Sequence, residues 1–226
     1  MTKKIVPAEM LLPIALTLIV NFSVYFGSRI FTTNLVHHEI TFAWEDKIPL
    51  WSWTIIIYWG CYLFWAINYL IAARRDRAFG YRFFCAEVCS KLICLVFYVV
   101  YPTTNVRPEI VGTGIFDDLM RLLWQVDAAD NLFPSIHCLV SWFCCIAIRK
   151  NEKIPKWYRF LSYVITIAIC LSTLTTKQHA FVDVIGGVAA AEICFQLAHV
   201  VKLDRAYERG LKRIGGFFRK RIPEKA

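Results

Sequence analysis

The sequence predicts an all-α fold, a polytopic membrane protein built as a bundle of six transmembrane helices. Three observations lead to this prediction. Of the 226 residues, 58% are hydrophobic and only 19% are charged, which is more apolar surface than a soluble domain of this length can bury. Aromatic residues make up 15% of the chain and include eight Trp, which suits a protein anchored at both membrane interfaces. The third observation is a series of six long apolar segments.

These segments each approach the roughly 20 apolar residues that a helix needs to cross a bilayer. They cover about residues 10–31, 51–73, 83–102, 132–148, 158–176 and 180–201. The first is too long for a cleavable signal peptide and lacks a small-residue cleavage site. We expect residues 1–202 to form one six-helix membrane domain and residues 203–226 to form a basic, amphipathic cytoplasmic tail.

The distribution of Lys and Arg predicts the orientation. Of the 26 basic residues, 20 lie in the N-terminus, in the loops that follow the second and fourth segments, and in the tail. Six spans place these regions on one side, and basic loops usually face the cytoplasm. We therefore expect a plasma-membrane protein with both termini in the cytoplasm. This asymmetry accounts for the net charge of +9, which does not indicate a nucleic-acid partner.

Two amphipathic segments lie outside the predicted spans. In the outer loop between the third and fourth spans, apolar residues recur at helical spacing and predict an interfacial helix over about residues 114–126. They are Ile115, Phe116, Leu119, Leu122, Leu123 and Val126. The tail carries a second apolar stripe among basic residues, which suits contact with the anionic inner leaflet. It consists of Leu203, Tyr207, Leu211, Ile214 and Phe218.

Polar residues gather at the predicted outer end of the bundle from three separate regions of sequence. They are Ser135, His137, His179, Asp183, Arg107 and Lys177. The first two begin the fourth predicted helix. The next two begin the sixth helix, and their spacing of four residues places them on one helical side. Ionisable residues at membrane depth are costly and usually mark function.

These residue types in this arrangement point to phosphoryl transfer. One ring nitrogen of His179 can act as the nucleophile, while Asp183 binds the other and stabilises the developing positive charge. His137 can protonate the departing alkoxide. Helix N-termini, hydroxyl groups and cations can hold the phosphoryl oxygens. The residues expected in this role are Ser135, Arg107 and Lys177.

The same residues resemble the motifs of the type 2 phosphatidic acid phosphatase superfamily of membrane enzymes. The family motif Pro-Ser-Gly-His corresponds to residues 134–137, and the motif Ser-Arg-x5-His-x3-Asp corresponds to residues 172–183. A third motif, Lys-x6-Arg-Pro, is half present as Arg107-Pro108. The resemblance implies a nucleophilic His179, a supporting Asp183 and His137 as the acid. It also implies a phosphohistidine intermediate, with no metal and no cofactor.

The chain departs from the family pattern at three positions. Val100 stands in place of the Lys of one motif, Thr173 in place of the Arg of another, and Ile136 in place of the Gly. Two cations are thereby lost from the phosphate site, and Lys177 is the candidate replacement for one. The residues around the motifs are more similar to the branch that includes inositol phosphorylceramide synthases and sphingomyelin synthases, which pass a phospho-headgroup to another lipid.

The sequence therefore predicts an enzyme that acts on a lipid phosphate. We favour hydrolysis over headgroup transfer, because hydrolysis is the commoner activity in the wider family and two cations are already present. One alternative is a metal site made of His137, His179 and Asp183. Another is a non-catalytic lipid-binding or transport protein with a polar path through the bundle. The charged residues Glu87, Lys91 and Glu192, which lie inside the predicted spans, are the only support for such a path.

Three features of the spans concern packing. Glu87 and Lys91 are one turn apart in the third span and predict an ion pair inside the membrane. Gly186 and Gly187 follow Asp183 by one turn and predict a close helix contact. The nine Cys all lie in apolar segments, where we expect them to pack as small apolar groups and to bind no metal.

Overall fold

The computed structural model describes residues 5–221. This part of the chain forms eight α-helices and two very short strands. The helices are α1 (Ala8–Thr32), α2 (Ile55–Ala73), α3 (Arg77–Val100), α4 (Ile115–Val126), α5 (Ile136–Ile148), α6 (Lys156–Thr175), α7 (Phe181–Val200) and α8 (Leu203–Arg221). The strands β1 (His38–Glu39) and β2 (Thr103–Thr104) pair in parallel and join two loops at one end of the bundle.

Helix α5 lies in the middle of the bundle. It packs against α2, α6 and α7, while α3 packs against α1, α7 and α8. Every residue of α5 except Trp142 is buried. Such burial explains why the helix is apolar on nearly all sides. Its Phe143 ring meets Phe83 of α3 edge to face, with the ring centroids 5.3 Å apart.

Within residues 5–221, five helices are long and apolar enough to cross a membrane, namely α1, α2 with its preceding turn, α3, α6 and α7. The segment predicted as the fourth span contains a helix of only 13 residues, α5. At 1.5 Å per residue it rises about 20 Å, whereas the hydrocarbon core is about 30 Å thick. The apolar run is longer than the helix because residues 132–135 are not helical. The all-α membrane fold is confirmed, but the count of six full-length spans is not.

The helix predicted between the third and fourth apolar segments is confirmed as α4. At its start, the Asp117 carboxylate accepts the Gly114 N–H at 3.1 Å and so satisfies a free donor of the first turn. Met120 and Leu123 are buried against the first turn of α2, where they contact Ile55. The helix is therefore fixed to the bundle by one face only.

The basic loops meet at the end of the bundle opposite α4. Arg75 donates to the carbonyl of Arg149 at 3.0 Å, and Arg149 binds Glu192 of α7 at 3.0 and 3.1 Å. Helix α8 packs against α3 at this end, with Leu211 buried. Of the 20 basic residues counted above, Lys3, Lys4 and Lys225 lie outside the described residues, and the side chain of Phe218 is not described either.

The charges inside the spans have local partners. Lys91 and Glu87, both buried, form the predicted ion pair at 3.3 Å, and the Tyr69 hydroxyl also donates to Glu87. Glu192 accepts from Arg149 and, at 3.0 Å, from the indole N–H of Trp142. These pairings account for the residues that had suggested a transport path.

Candidate active site

The first turn of α5 supplies His137. Ser135 caps the helix, because its hydroxyl oxygen accepts the Cys138 N–H at 3.3 Å. The Ser135 N–H donates to the Asp183 carbonyl of α7 at 3.0 Å, which joins the starts of the two helices. Ser135 is fully buried, and no hydrogen bond donated by its hydroxyl is found among the described residues. The proposed phosphate contact of Ser135 therefore depends on this hydroxyl rather than on its own N–H.

The turn between α6 and α7 supplies His179. The Thr173 carbonyl accepts the N–H groups of both Gln178 and His179, at 3.0 and 3.1 Å, and so fixes the turn. Asp183 accepts the Ala180 N–H at 2.7 Å through the same oxygen that lies 3.4 Å from Nδ1 of His179. This contact leaves Nε2 as the ring nitrogen of His179 that can attack a substrate.

The pKa of His179 lies above its usual 6.5. Burial is the largest single effect on this pKa and lowers it, but the Asp183 carboxylate, together with Cys138 and Asp127, raises it by more in sum. The carboxylate thus stabilises positive charge on this ring. A histidine that becomes cationic when it forms a bond to phosphorus needs such a partner.

The two histidines face each other. Their ring centroids are 5.8 Å apart, and both line a cavity of about 30 Å³. This volume is enough for one water-sized group. His137 stacks on Tyr58 of α2, whose hydroxyl lies 3.4 Å from its Nδ1 and 3.3 Å from the Asp127 carboxylate. Asp127 and Tyr58 therefore orient His137.

Arg107 lies beside this cavity and is held by the surrounding loops. It donates to the Asp127 carbonyl and to the Gln178 side-chain oxygen, both at 2.9 Å. Burial lowers the pKa of its guanidinium, and Asp127 partly opposes the effect. Among the described residues, Nε of Arg107 and Nε2 of Gln178 have no hydrogen-bond acceptor. These two N–H donors can bind a phosphoryl oxygen.

Lys177 occupies a different position from the one that the sequence suggests. Its ammonium group donates to the Glu45 carbonyl at 3.2 Å and lies in a larger cavity of about 510 Å³ outside the histidine pair. Burial lowers the pKa of Lys177, and Asp46 and Glu45 oppose the effect. We call this larger cavity the outer vestibule; His179 lines it as well.

The missing cation at Thr173 is not replaced at that position. Thr173 is buried and donates its hydroxyl to the Cys170 carbonyl at 2.7 Å. A carboxylate also covers the start of α7, where Glu45 accepts the Phe181 N–H at 2.7 Å. The first turn of α7 is therefore not a free anion site.

Sequence reasoning missed the residues that α1 adds to the site. Arg29 binds Asp127 at 3.2 Å and Asp130 at 2.9 Å, and the Tyr25 hydroxyl also donates to Asp127. The available signal was Arg29 itself, a charged residue at the outer end of an apolar segment. Its partners lie about 100 residues away in sequence.

The metal-site alternative finds no support in the side-chain positions. Within residues 5–221, no group of three or more His, Cys, Asp and Glu is arranged to hold a metal ion. Seven of the nine cysteines are buried and the other two are half-buried, as expected of packing residues.

Two comparisons with known proteins agree with this geometry. A sequence model of the PAP2 superfamily matches residues 33–197, which include both histidines, Asp183 and Arg107. The chain is also similar to the inositol phosphorylceramide synthase catalytic subunit aur1 of Schizosaccharomyces pombe, with 35% identity over 94 residues. That alignment covers 42% of this chain and 21% of the relative, so the chain matches about a fifth of that protein's length.

Proposed function

Because the chain belongs to the PAP2 superfamily, we propose that it is a membrane enzyme that transfers the phospho-headgroup of a lipid through a histidine-bound intermediate. The observation that carries the proposal is the facing pair of His137 and His179, with a small cavity between them. The Asp183 carboxylate lies 3.4 Å from Nδ1 of His179, on the side of the ring away from the attacking Nε2. Together they supply an acid, a nucleophile and its stabilising group.

In the first half-reaction, Nε2 of neutral His179 attacks the phosphorus. A P–N bond forms as the ester P–O bond breaks, and protonated His137 gives its proton to the departing alkoxide. In the second half-reaction, the hydroxyl oxygen of the acceptor attacks the phosphorus and its proton passes to His137. The P–N bond breaks, and both histidines return to their starting states.

The charges around the histidine cavity favour a phosphodiester substrate. The nearby cations are Arg107 and Arg29, and the latter is already paired with Asp127 and Asp130. Together with Asp183, three carboxylates therefore lie near two arginines. A phosphomonoester dianion needs more positive charge to hold it than a monoanionic diester does. We therefore place headgroup transfer ahead of hydrolysis, which reverses the order that the sequence alone suggested.

The outer vestibule has room for the headgroup. It is about 510 Å³ and lies next to His179. Several carboxylates line it, among them Glu45, Asp46 and Glu109, and Lys177 is the one Lys or Arg in the lining among the described residues. Carboxylates accept hydrogen bonds and repel a second anion, so an uncharged, hydroxyl-rich headgroup suits this lining. The similarity to an inositol phosphorylceramide synthase supports the same substrate class.

Product analysis tests the proposal. Purified protein in detergent is supplied with phosphatidylinositol or phosphatidic acid, each radiolabelled in its phosphate, and with ceramide or diacylglycerol as the acceptor. We expect a labelled new phospholipid from phosphatidylinositol and no free phosphate. His179→Ala should abolish the product, whereas His199→Ala, at the opposite end of the bundle, should not. A product unchanged by His179→Ala would disprove the proposed intermediate.

Hydrolysis of a lipid phosphate is the second candidate. The polar lining of the outer vestibule favours it, because water can reach His179 by this route. Free phosphate as the sole labelled product would identify the protein as a phosphatase. No turnover of any lipid would instead support the non-catalytic alternative.

The proposed orientation places the active site on the outer side of the plasma membrane and both termini in the cytoplasm. The basic loops at the end of the bundle opposite the histidines support it. The headgroup acceptor would then meet the enzyme in the outer leaflet.

A further inference from the structure

A third cavity lies between α1 and α2 and is open at the side of the bundle. Its volume is about 390 Å³. Because α1 packs mainly on α3 and α2 mainly on α5, α1 and α2 flank this cavity and do not close it. Leu18 and Tyr62 form its rim and are 51% and 58% exposed. We call it the α1–α2 groove.

The groove begins about one turn below the catalytic histidines. On α2, Tyr58 stacks on His137, and Tyr62 of the next turn lines the groove. The Trp65 ring, also in the lining, lies 5.5 Å from the His137 ring between centroids. On α1, Asn21 lies one turn below Tyr25, which contacts the site. An alkyl chain on an alcohol that reacts beside His137 would enter this groove directly.

The groove is apolar except for a polar strip on α1 and at its base. Thr17 is 3% exposed, and among the described residues neither its hydroxyl oxygen nor the amide oxygen of Asn21 has a hydrogen-bond partner. The Glu87 carboxylate lies in the same lining. Unpartnered polar atoms beside lipid are costly, since no water is there to satisfy them. These atoms suit a ligand that brings its own hydrogen-bond donor.

We propose that the α1–α2 groove binds the lipid alcohol that accepts the headgroup, and that Thr17 and Asn21 recognise an amide N–H or a second hydroxyl near its head. The inference rests on the transfer reaction proposed above. An N-acylated amino alcohol carries such a donor. Diacylglycerol carries only ester carbonyls besides its reacting hydroxyl, and these cannot donate to oxygen acceptors.

Trp65 provides a binding signal that does not depend on turnover. Lipid alcohols that carry bromine in the alkyl chain quench tryptophan fluorescence on contact. In the experiment, purified protein is titrated with a brominated N-acyl amino alcohol and, separately, with brominated diacylglycerol. We expect saturable quenching with tighter binding of the amide lipid. Trp65→Phe should remove that component of the signal.

Thr17→Val and Asn21→Leu should each weaken binding of the amide lipid about threefold to tenfold, the cost of one hydrogen bond. Diacylglycerol binding should not change. Ser23→Ala on the exposed face of α1 is the matched control. Ala66→Phe, which fills the groove, should weaken both lipids. An unchanged thermal unfolding midpoint shows that each variant is folded.

The two proposals fail in different ways. Selective binding without any new phospholipid would refute the transfer reaction and leave the groove assignment intact. New phospholipid together with equal binding of both lipids, or with no effect of Thr17→Val and Asn21→Leu, would overturn the groove assignment.

Discussion

Gly187 of α7 lies directly against the backbone of Ser135. A Cβ atom at Gly187 would come within 2.4 Å of the Ser135 carbonyl oxygen and 3.1 Å of the Leu139 nitrogen. The close contact predicted from the glycine pair is therefore confirmed. This contact sets the separation of the two helices whose first turns bring His137 and His179 together.

Gly187→Ala should separate the starts of α5 and α7, because a methyl group cannot fit against backbone atoms. We expect a loss of kcat of at least about tenfold, and a lower unfolding midpoint from an overpacking cost of about 1–3 kcal/mol. Gly60→Ala is the matched control, since a Cβ there meets no atom within 4 Å. Equal activity in the two variants would show that this contact does not position the histidines.

His137→Ala tests the proton donor. With a natural lipid ester, the rate should fall about 10²–10⁴-fold, the usual contribution of a general acid. With a nitrophenyl phosphodiester, whose leaving group departs without a proton, the loss in bond cleavage should be much smaller. Single-turnover release of nitrophenol measures this step. If both substrates lose the same factor, His137 is not the acid.

The pH profile tests the pairing of His179 with Asp183. His179 must be neutral to attack, and its pKa lies above 6.5, so kcat/KM should rise with pH through that raised value. Asp183→Asn removes the charge that raises the pKa. The acidic limb should then move to lower pH while the plateau falls. If the acidic limb does not move in Asp183→Asn, the limb reports the titration of a group other than His179.

The same pKa shift affects stability. Because the folded-state pKa is raised, the stabilisation from protonated His179 beside Asp183 is fully present below the unfolded-state pKa. It is lost as the pH rises through the folded-state pKa.

Arg107→Gln should remove one N–H donor and one cation from the proposed phosphate site. We expect kcat/KM to fall about 10²–10³-fold, as when an electrostatic donor is removed from other active sites. Arg121→Gln is the control, because Arg121 also donates to a loop carbonyl, that of Ile110, at 2.9 Å but contacts neither histidine. If kcat/KM falls by a similar factor in both variants, Arg107 acts only by holding the loop in place.

Thiol labelling tests the orientation. In a background without the native cysteines, Val111→Cys in the loop after β2 should react with an impermeant maleimide on intact cells. Trp157→Cys at the opposite end should react only after lysis. Both positions are well exposed, at 84% and 66%. The reverse pattern would invert the proposed topology.

The sequence was informative where a residue's role depends on its own helix. His137 near the start of α5, and Asp183 one turn after His179, follow from spacing alone. Contacts among α1, α2 and the loop after α4 did not follow, because they depend on how distant helices pack. Tyr58 and Arg29 reach Asp127 across sequence separations of 69 and 98 residues. No local pattern encodes such a contact.

The unconfirmed count of six spans has the same origin. The apolar run of residues 132–148 has the composition of a span, but protein surrounds α5 and its length need not match the bilayer. The direction of the Lys177 side chain did not follow from the sequence either. Its backbone has φ 55°, and the side chain reaches towards Glu45 and not towards the cavity between the histidines.

The shortness of α5 also has a consequence for how the chain is made. A 13-residue helix is too short to partition into the bilayer as an independent segment during synthesis. We therefore expect α5 to enter together with α6 as a helical hairpin, because only seven residues, 149–155, separate them. The order of biogenesis then follows: α1, α2 and α3 insert first, and α5 packs against α2 and α3 only when α6 and α7 have been synthesised.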